Sequence, residues 1–223
     1  MPTTYYYGFN VAKPPFDNRL VRQAFALALD RQAFVDLANE LDYSQPRLAT
    51  VFTPPDTLGR DLYGHVGLPF DPDRARELLA QAGYPGGEGL PQVTLAYNAL
   101  PGHTAMADVA IAMWRDHLGV NVLREEIGDW DAYLERLSAD APQIFRVSWR
   151  ADYNDPDNFL AVFSWREGPP RGNFFHDEFE GLFEQAAAIG DPAERQALYI
   201  EAERIVCQQE AAVIPLFHFH IAE

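Results

Sequence analysis

The chain has 223 residues, 48% hydrophobic and 13% aromatic, enough to close a sizeable core and to exclude wholesale disorder. Its formal net charge of −16 offers no basic surface for phosphates and argues against nucleic acid as a partner. The single cysteine, Cys207, rules out an internal disulfide, and no apolar run reaches the roughly 18 residues of a membrane-spanning helix.

Met1 to Thr4 lead directly into Tyr5-Tyr6-Tyr7 with no signal-type segment. The aromatic run from Tyr5 to Asn10 predicts a strand, stopped by Lys13-Pro14-Pro15. Asp17 and Asn18 offer helix caps, and Val21, Ala24, Phe25, Ala28 and Leu29 follow at helical spacing. A second helix is expected from Arg31 to about Ala38. Residues 43–67, rich in proline, glycine and polar side chains, read as a long loop. Asp71-Pro72-Asp73 is a strong helix start: a capping carboxylate, a proline that fits the first turn, and an acid at the positive dipole end. Ala75, Leu78, Leu79 and Ala82 form its buried stripe, and Gly83 ends it.

Strands are predicted at Val93–Tyr97, Val120–Glu125, Ile144–Val147 and Val213–His218. Helices are predicted at Thr104–Leu118, Trp130–Leu137, Glu178–Ile189 and from Asp191-Pro192 through Gln209. Pro215 demotes the last strand to an edge or marks a bulge in it. Strand and helix alternate along most of the chain, so the fold class is α/β, a mixed β-sheet flanked by helices.

The most informative stretch is Ser148-Trp149-Arg150-Ala151-Asp152-Tyr153-Asn154-Asp155-Pro156-Asp157-Asn158-Phe159-Leu160. It places Trp149, Asp152 and Tyr153 just beyond the β-type run Ile144–Val147, with Asp155, Pro156, Asp157 and Asn158 fixing a polar, kinked loop. An aromatic ring beside a carboxylate at the mouth of a strand suits a ligand with a positive charge and some apolar bulk.

This stretch resembles the W-x-A-D-Y-x-D-P-x-N-F-L signature of the extracytoplasmic solute-binding proteins of peptide-type ABC importers, solute-binding family 5. Further blocks resemble the same family. They are Pro15-Phe16-Asp17 through Arg31, Phe70-Asp71-Pro72 through Tyr84 (with Phe70 where tyrosine is usual), Trp114 through Val122, and Asp191 through Leu216. They follow the family's order and span nearly the whole chain. The resemblance implies a type II periplasmic-binding-protein-like lobe: residues 1–223 as the single second ligand-binding lobe, with the partner N-terminal lobe absent. It also implies an extracytoplasmic location, a targeting segment outside this sequence, delivery of a short peptide or related solute to a membrane permease, and closure of two lobes on the ligand. Relatives that bind nickel complexes or oligosaccharides leave the ligand open.

In peptide-binding members the aspartate at the place of Asp152 receives the ligand's ammonium group. The alternative for Asp152 is a loop cap bonded to its own backbone. Trp149 is expected to line the pocket or to serve as a core ring at a strand end, and Tyr153 to contact ligand or simply pack. Arg146 is a candidate for the ligand carboxylate, as an arginine near this place is in some peptide binders. A structural salt bridge is the alternative, because in a strand residues 146 and 148 share one face while Trp149 points to the other. Arg150 departs from the small or neutral residue usual at its place and could repel cations or pair with Asp155 or Asp157.

No metal or cofactor is expected. Asp152-x-Asn154 opens like a calcium loop, but Asp157 and Phe163 stand where glycine and glutamate are needed. His103, His117, His218 and His220 lack helical ligand spacing and read as structural. An enzyme is the second class considered: Glu125, Glu126, Asp129 and Asp131 could supply paired carboxylates for glycoside hydrolysis. The alternative, negative charge dressing a helix start, is preferred. Phosphate-cradling glycine loops and nucleophile-elbow motifs are absent from the sequence.

Overall fold

The computed structural model describes residues 1–165 and 171–221. Six strands, β1 (Pro2–Phe9), β2 (Ser44–Leu48), β3 (Val93–Asn98), β4 (Val122–Ile127), β5 (Ile144–Arg150) and β6 (Val213–His220), form one mixed sheet in the order β2-β6-β1-β5-β3-β4. β3 runs parallel to β4 and β5; β1 is antiparallel to β5 and β6. Helices α1 (Arg19–Leu27), α2 (Arg31–Glu40), α3 (Pro55–Leu58), α4 (Pro72–Gln81), α5 (Pro101–Leu118), α6 (Trp130–Asp140), α7 (Pro156–Leu160), α8 (Asp177–Ala188) and α9 (Pro192–Arg204) surround it.

The alternation of β1 explains the layering. Tyr5, Tyr7 and Phe9 enter one core with Phe25 of α1, Phe34 of α2, Leu79 of α4 and Trp114 of α5. Tyr6 enters a second core on the opposite face, with Phe145 and Val147 of β5, Phe159 of α7, Phe179 and Phe183 of α8 and Tyr199 of α9. A strand that presents rings to both faces requires helices on both, because each buried ring contributes about 2 kcal/mol only when water is excluded from it. The first layer is locked by Trp114, whose indole N–H donates to the carbonyl of Phe25 at 2.9 Å.

Three Asp-Pro steps start helices. Asp71, Asp155 and Asp191 each accept a hydrogen bond from a first-turn amide, and the following proline takes a first-turn position whose N–H would have no partner. The segment after β5 is therefore not only a kinked loop: Asp155-Pro156 opens α7, and Asn158, Phe159 and Leu160 are buried. The expected long loop at 43–67 also needs correction. It holds β2 and α3; Pro46 and the positive φ of Gln45 (52°) mask the strand pattern.

Because β2 covers the outer side of β6, Pro215 does not lie on an edge strand. It marks a bulge instead: Tyr5 faces Phe217 and Tyr6 faces Pro215, leaving Leu216 extra. The long C-terminal helix changes character near its end, where residues 205–209 widen into a π-type turn carrying Cys207.

Candidate functional site

β5 separates two environments. Its residues alternate, so Phe145 and Trp149 face the layer of α6 to α9, while Arg146 and Ser148 face the layer of α1, α2, α4 and α5. On the Trp149 side lies a groove of about 840 Å³. Phe145 and Trp149 form its floor. Leu134, Leu137 and Ser138 of α6 line one wall, and Val162, Arg171 and Gly172 line the other. Asp152 and Tyr153 stand at the end where β5 stops; Asn10 stands at the end where β5 begins.

Three residues singled out from the sequence thus meet in one concavity: Trp149, Asp152 and Tyr153. Trp149 is half-buried, and its indole N–H donates to Oδ1 of Asn158 at 3.1 Å. The same oxygen accepts the backbone N–H of Asp152 at 3.2 Å. One buried amide therefore fixes both the ring and the start of the acidic loop. The Asp152 carboxylate itself is exposed and has no cation or hydrogen-bond donor among the described residues. Tyr153 is 52% exposed at the groove mouth.

The loop below is held rigidly. Asp155 forms a two-pronged pair with Arg195 of α9, at 2.5 and 2.8 Å, and Arg195 also reaches the Tyr199 hydroxyl at 2.9 Å. Burial pushes the Asp155 carboxyl up, but hydrogen bonds from Arg195 and the Asp157 amide outweigh it and hold the group below the usual carboxylate range. Arg150, exposed at the end of β5 opposite Thr3, pairs with neither Asp155 nor Asp157. It does not line the groove.

Arg146 is not part of the groove either. It is 6% exposed on the other side of β5, its guanidinium 4.3 Å from the Tyr5 ring centroid, with bonds to Ser148 Oγ (2.6 Å) and Asn98 Oδ1 (3.3 Å). The alternative of a structural salt bridge is not what holds it: its contacts among the described residues are neutral and aromatic. The sequence rule that 146 and 148 share a face while Trp149 turns away describes this arrangement.

Two residues take places at the site that the sequence does not assign to them. Asn158 was expected only to fix the loop, and its double hydrogen bond follows from the turn of α7 that brings it under Trp149. Arg171 comes from a distant part of the chain. Its guanidinium lies 5.7 Å from the Trp149 ring centroid and donates to the Tyr6 hydroxyl at 2.9 Å.

The acidic cluster does not converge. Glu125 and Glu126 are adjacent on β4 and point to opposite faces; Glu125 is bound by Arg136 at 2.8 Å and Glu126 accepts from the Tyr97 hydroxyl at 3.2 Å. Asp129 caps α6 through the Asp131 amide. Among the described residues no group of three or more His, Cys, Asp or Glu gathers to hold a metal. His103 bonds the Asn98 carbonyl, His117 the Ala28 carbonyl and His218 the Thr4 hydroxyl.

Residues 1–168 match the family model described as Bacterial extracellular solute-binding proteins, family 5 Middle. The chain belongs to this family. This family 5 member is 30% identical over 220 residues to the periplasmic oligopeptide-binding protein OppA of Escherichia coli K12, covering 97% of the chain and 39% of that protein. It is 32% identical over 217 residues to the probable deoxycholate-binding periplasmic protein YgiS of the same organism, covering 96% of the chain and 39% of YgiS. Among solved structures, the unliganded open form of the periplasmic murein tripeptide binding protein MppA superposes with a TM-score of 0.85 at 27% identity, over 97% of the chain and 42% of MppA. The family 5 member thus spans about two-fifths of the length of the relatives it matches. The family consists of solute-binding proteins, and the periplasmic-binding-protein-like fold is shown. No described helix is long and apolar enough to cross a membrane.

Proposed function

We propose that the chain is the ligand-binding lobe of an extracytoplasmic solute-binding protein that delivers a short peptide, or a related small solute with an ammonium group, to an ABC importer permease. The observation that carries this reading is the uncommitted Asp152 carboxylate beside Trp149 in a groove of about 840 Å³, a volume within the usual range for small-ligand sites. Asp152 receives the cationic end through a charge-assisted hydrogen bond. Trp149 offers a flat apolar surface held in place by Asn158, and Tyr153 closes over the ligand at the mouth.

A groove open on one side desolvates only part of a ligand. The partner lobe supplies the other side, so the ligand prefers the closed arrangement and shifts the population towards it. Removal of water strengthens the Asp152 pair, which links closure to recognition of charge. The apolar floor and wall, Phe145, Leu134, Leu137 and Val162, add tolerance for a bulky side chain. Support comes from the membership in a solute-binding family and from the oligopeptide- and tripeptide-binding names of the relatives.

The test is native mass spectrometry of the protein purified from its own cells, followed by denaturation and analysis of released small molecules. Release of ammonium-bearing compounds, with thermal stabilisation when they are added back and no product formed, supports the reading. Release only of uncharged or purely anionic compounds refutes it.

A further inference from the structure

Gly8 sits inside β1, where a residue without a side chain weakens a strand. Its backbone does not call for glycine. Gly67, Gly119 and Gly172 combine a positive φ with a close backbone contact; Gly8 has neither. What it has is a ring laid over it. Gly8 is the register partner of Phe145 on β5, and the two share the face that carries Tyr6 and Trp149. A Cβ at Gly8 would stand 2.3 Å from Cζ and 2.4 Å from Cε2 of the Phe145 ring. The phenyl group therefore fills the space of the missing side chain. At 2% exposure it lies in the floor of the groove rather than across it.

An alanine at position 8 removes that seat. Carbon atoms in contact lie about 3.5–4 Å apart, so the ring has to move by about 1 Å or more. β1 blocks it on one side, and on another lies Gly172, where a Cβ would be 3.5 Å from the same Cζ. The groove is the open direction, so the displaced ring rises into it.

The part of the groove above this ring differs from the Asp152 end. Its polar side chains are already spent. The Asn10 amide donates to the Ala141 carbonyl at 2.8 Å and accepts from the Ala12 amide and the Asn173 side chain. The Ser138 hydroxyl donates to the Leu134 carbonyl, and Asp140 is paired with Lys13 and Arg136. The surface that remains is carbon, from Leu137 and Ala141 beside the floor. Phe145 and Trp149 are four residues apart on one face of β5, about 13 Å along the strand.

We infer that Gly8 and Phe145 are a specificity-determining pair. By seating the ring on β1, Gly8 keeps the Asn10 end of the groove open for a bulky apolar part of the ligand, about 13 Å beyond the part that lies over Trp149. The inference rests on the solute-binding reading above and adds to it a second, apolar feature of the ligand, remote from its ammonium group.

The test is calorimetry on the full chain with pentaalanine and two pentapeptides in which tryptophan replaces the fourth or the fifth alanine. These positions reach the Phe145 end in an extended peptide whose ammonium group is at Asp152. The wild type is expected to bind one of the tryptophan peptides about 10-fold or more tighter than pentaalanine, the scale of apolar discrimination in a shaped pocket. Gly8→Ala abolishes that preference. The double variant Gly8→Ala/Phe145→Leu, whose shorter side chain leaves room for the new Cβ, restores it. A merely structural role for Gly8 would weaken all three peptides alike. Phe145→Leu alone carries the test if Gly8→Ala does not fold: it lowers the floor and enlarges the preference, and an unchanged or smaller one counts against the pair. Absence of any preference in the wild type, or the same preference in the wild type and Gly8→Ala, overturns the inference and leaves the solute-binding reading intact. Failure of the wild type to bind any of the three peptides overturns the peptide reading, and the inference with it.

Discussion

Asn158→Ala tests the idea that one buried amide organises the groove. Asn158 is 6% exposed, and its Oδ1 accepts from Trp149 Nε1 at 3.1 Å and from the Asp152 amide at 3.2 Å. Each neutral hydrogen bond is worth about 1 kcal/mol net, and a donor left dry costs about 1–3 kcal/mol. The Asp152 amide belongs to an exposed residue and regains water; the half-buried indole N–H regains it only in part. The expected loss is about 2–3 kcal/mol, a fall in melting temperature of about 4–12 °C for a chain of this size. Urea unfolding followed by tryptophan fluorescence measures it. Affinity for ligand should fall as well, because Trp149 is then free to turn. Asn158→Asp keeps an acceptor for both N–H groups, although it adds charge to a stretch already holding Asp152, Asp155 and Asp157, so it should lose less stability than Asn158→Ala. A loss below about 0.5 kcal/mol, the range of an ordinary surface substitution, would refute the reasoning.

Other outcomes follow from neighbouring groups. Arg195→Met removes both prongs of the Asp155 pair and the bond to Tyr199; partial exposure limits the loss to about 1–3 kcal/mol, read from urea midpoints, and an unchanged midpoint would contradict the role. The Asp155 carboxyl is depressed in the fold, so its contribution is whole above about pH 4 and is lost as pH falls further. Glu203→Ala leaves the amides of Phe52 and Thr53, each 2.7 Å from its carboxylate, buried without acceptors, and should cost about 2–5 kcal/mol by the same assay. His218 is held down at about 3 by burial and the Arg47 charge, and His103 at about 4 by burial and the Arg146 charge. Both rings are neutral in the fold, so the unfolded chain binds more protons below about pH 6.5. Stability is whole above that pH and drains as pH falls towards 4; His218→Phe should flatten part of the slope of urea midpoint against pH, and a wild-type midpoint equal at pH 7 and 5 would refute the sign.

The fold was legible where local chemistry acts alone. The cap-and-proline rule places α4 and the start of α9 from Asp71-Pro72 and Asp191-Pro192, and the same rule applied to Asp155-Pro156 would have placed α7. β2 was hidden because Pro46 and a positive φ at Gln45 break the alternation that marks a strand, and its pairing with β6 is a tertiary fact. Strand periodicity separated Arg146 from Trp149, yet it did not say which side was open. The groove forms only when α6, residues 161–162 and residues 171–173 flank β5, and Arg171 reaches it beside a Tyr6 hydroxyl at the other end of the sequence. No local pattern encodes that approach. The carboxylates of Glu125 and Glu126 show the reverse case: adjacent in sequence, they are separated by the pleat and absorbed by Arg136 and Tyr97.

The most direct measurement is calorimetry of trialanine and N-acetyl-trialanine on the wild type and Asp152→Asn. If Asp152 meets an ammonium group in this groove, where water still screens the pair from one side, Asp152→Asn weakens trialanine by about 5-fold or more, corresponding to about 1 kcal/mol. N-acetyl-trialanine, lacking the charge, binds both proteins equally weakly. Trialanine bound with the same affinity by both proteins would contradict the account.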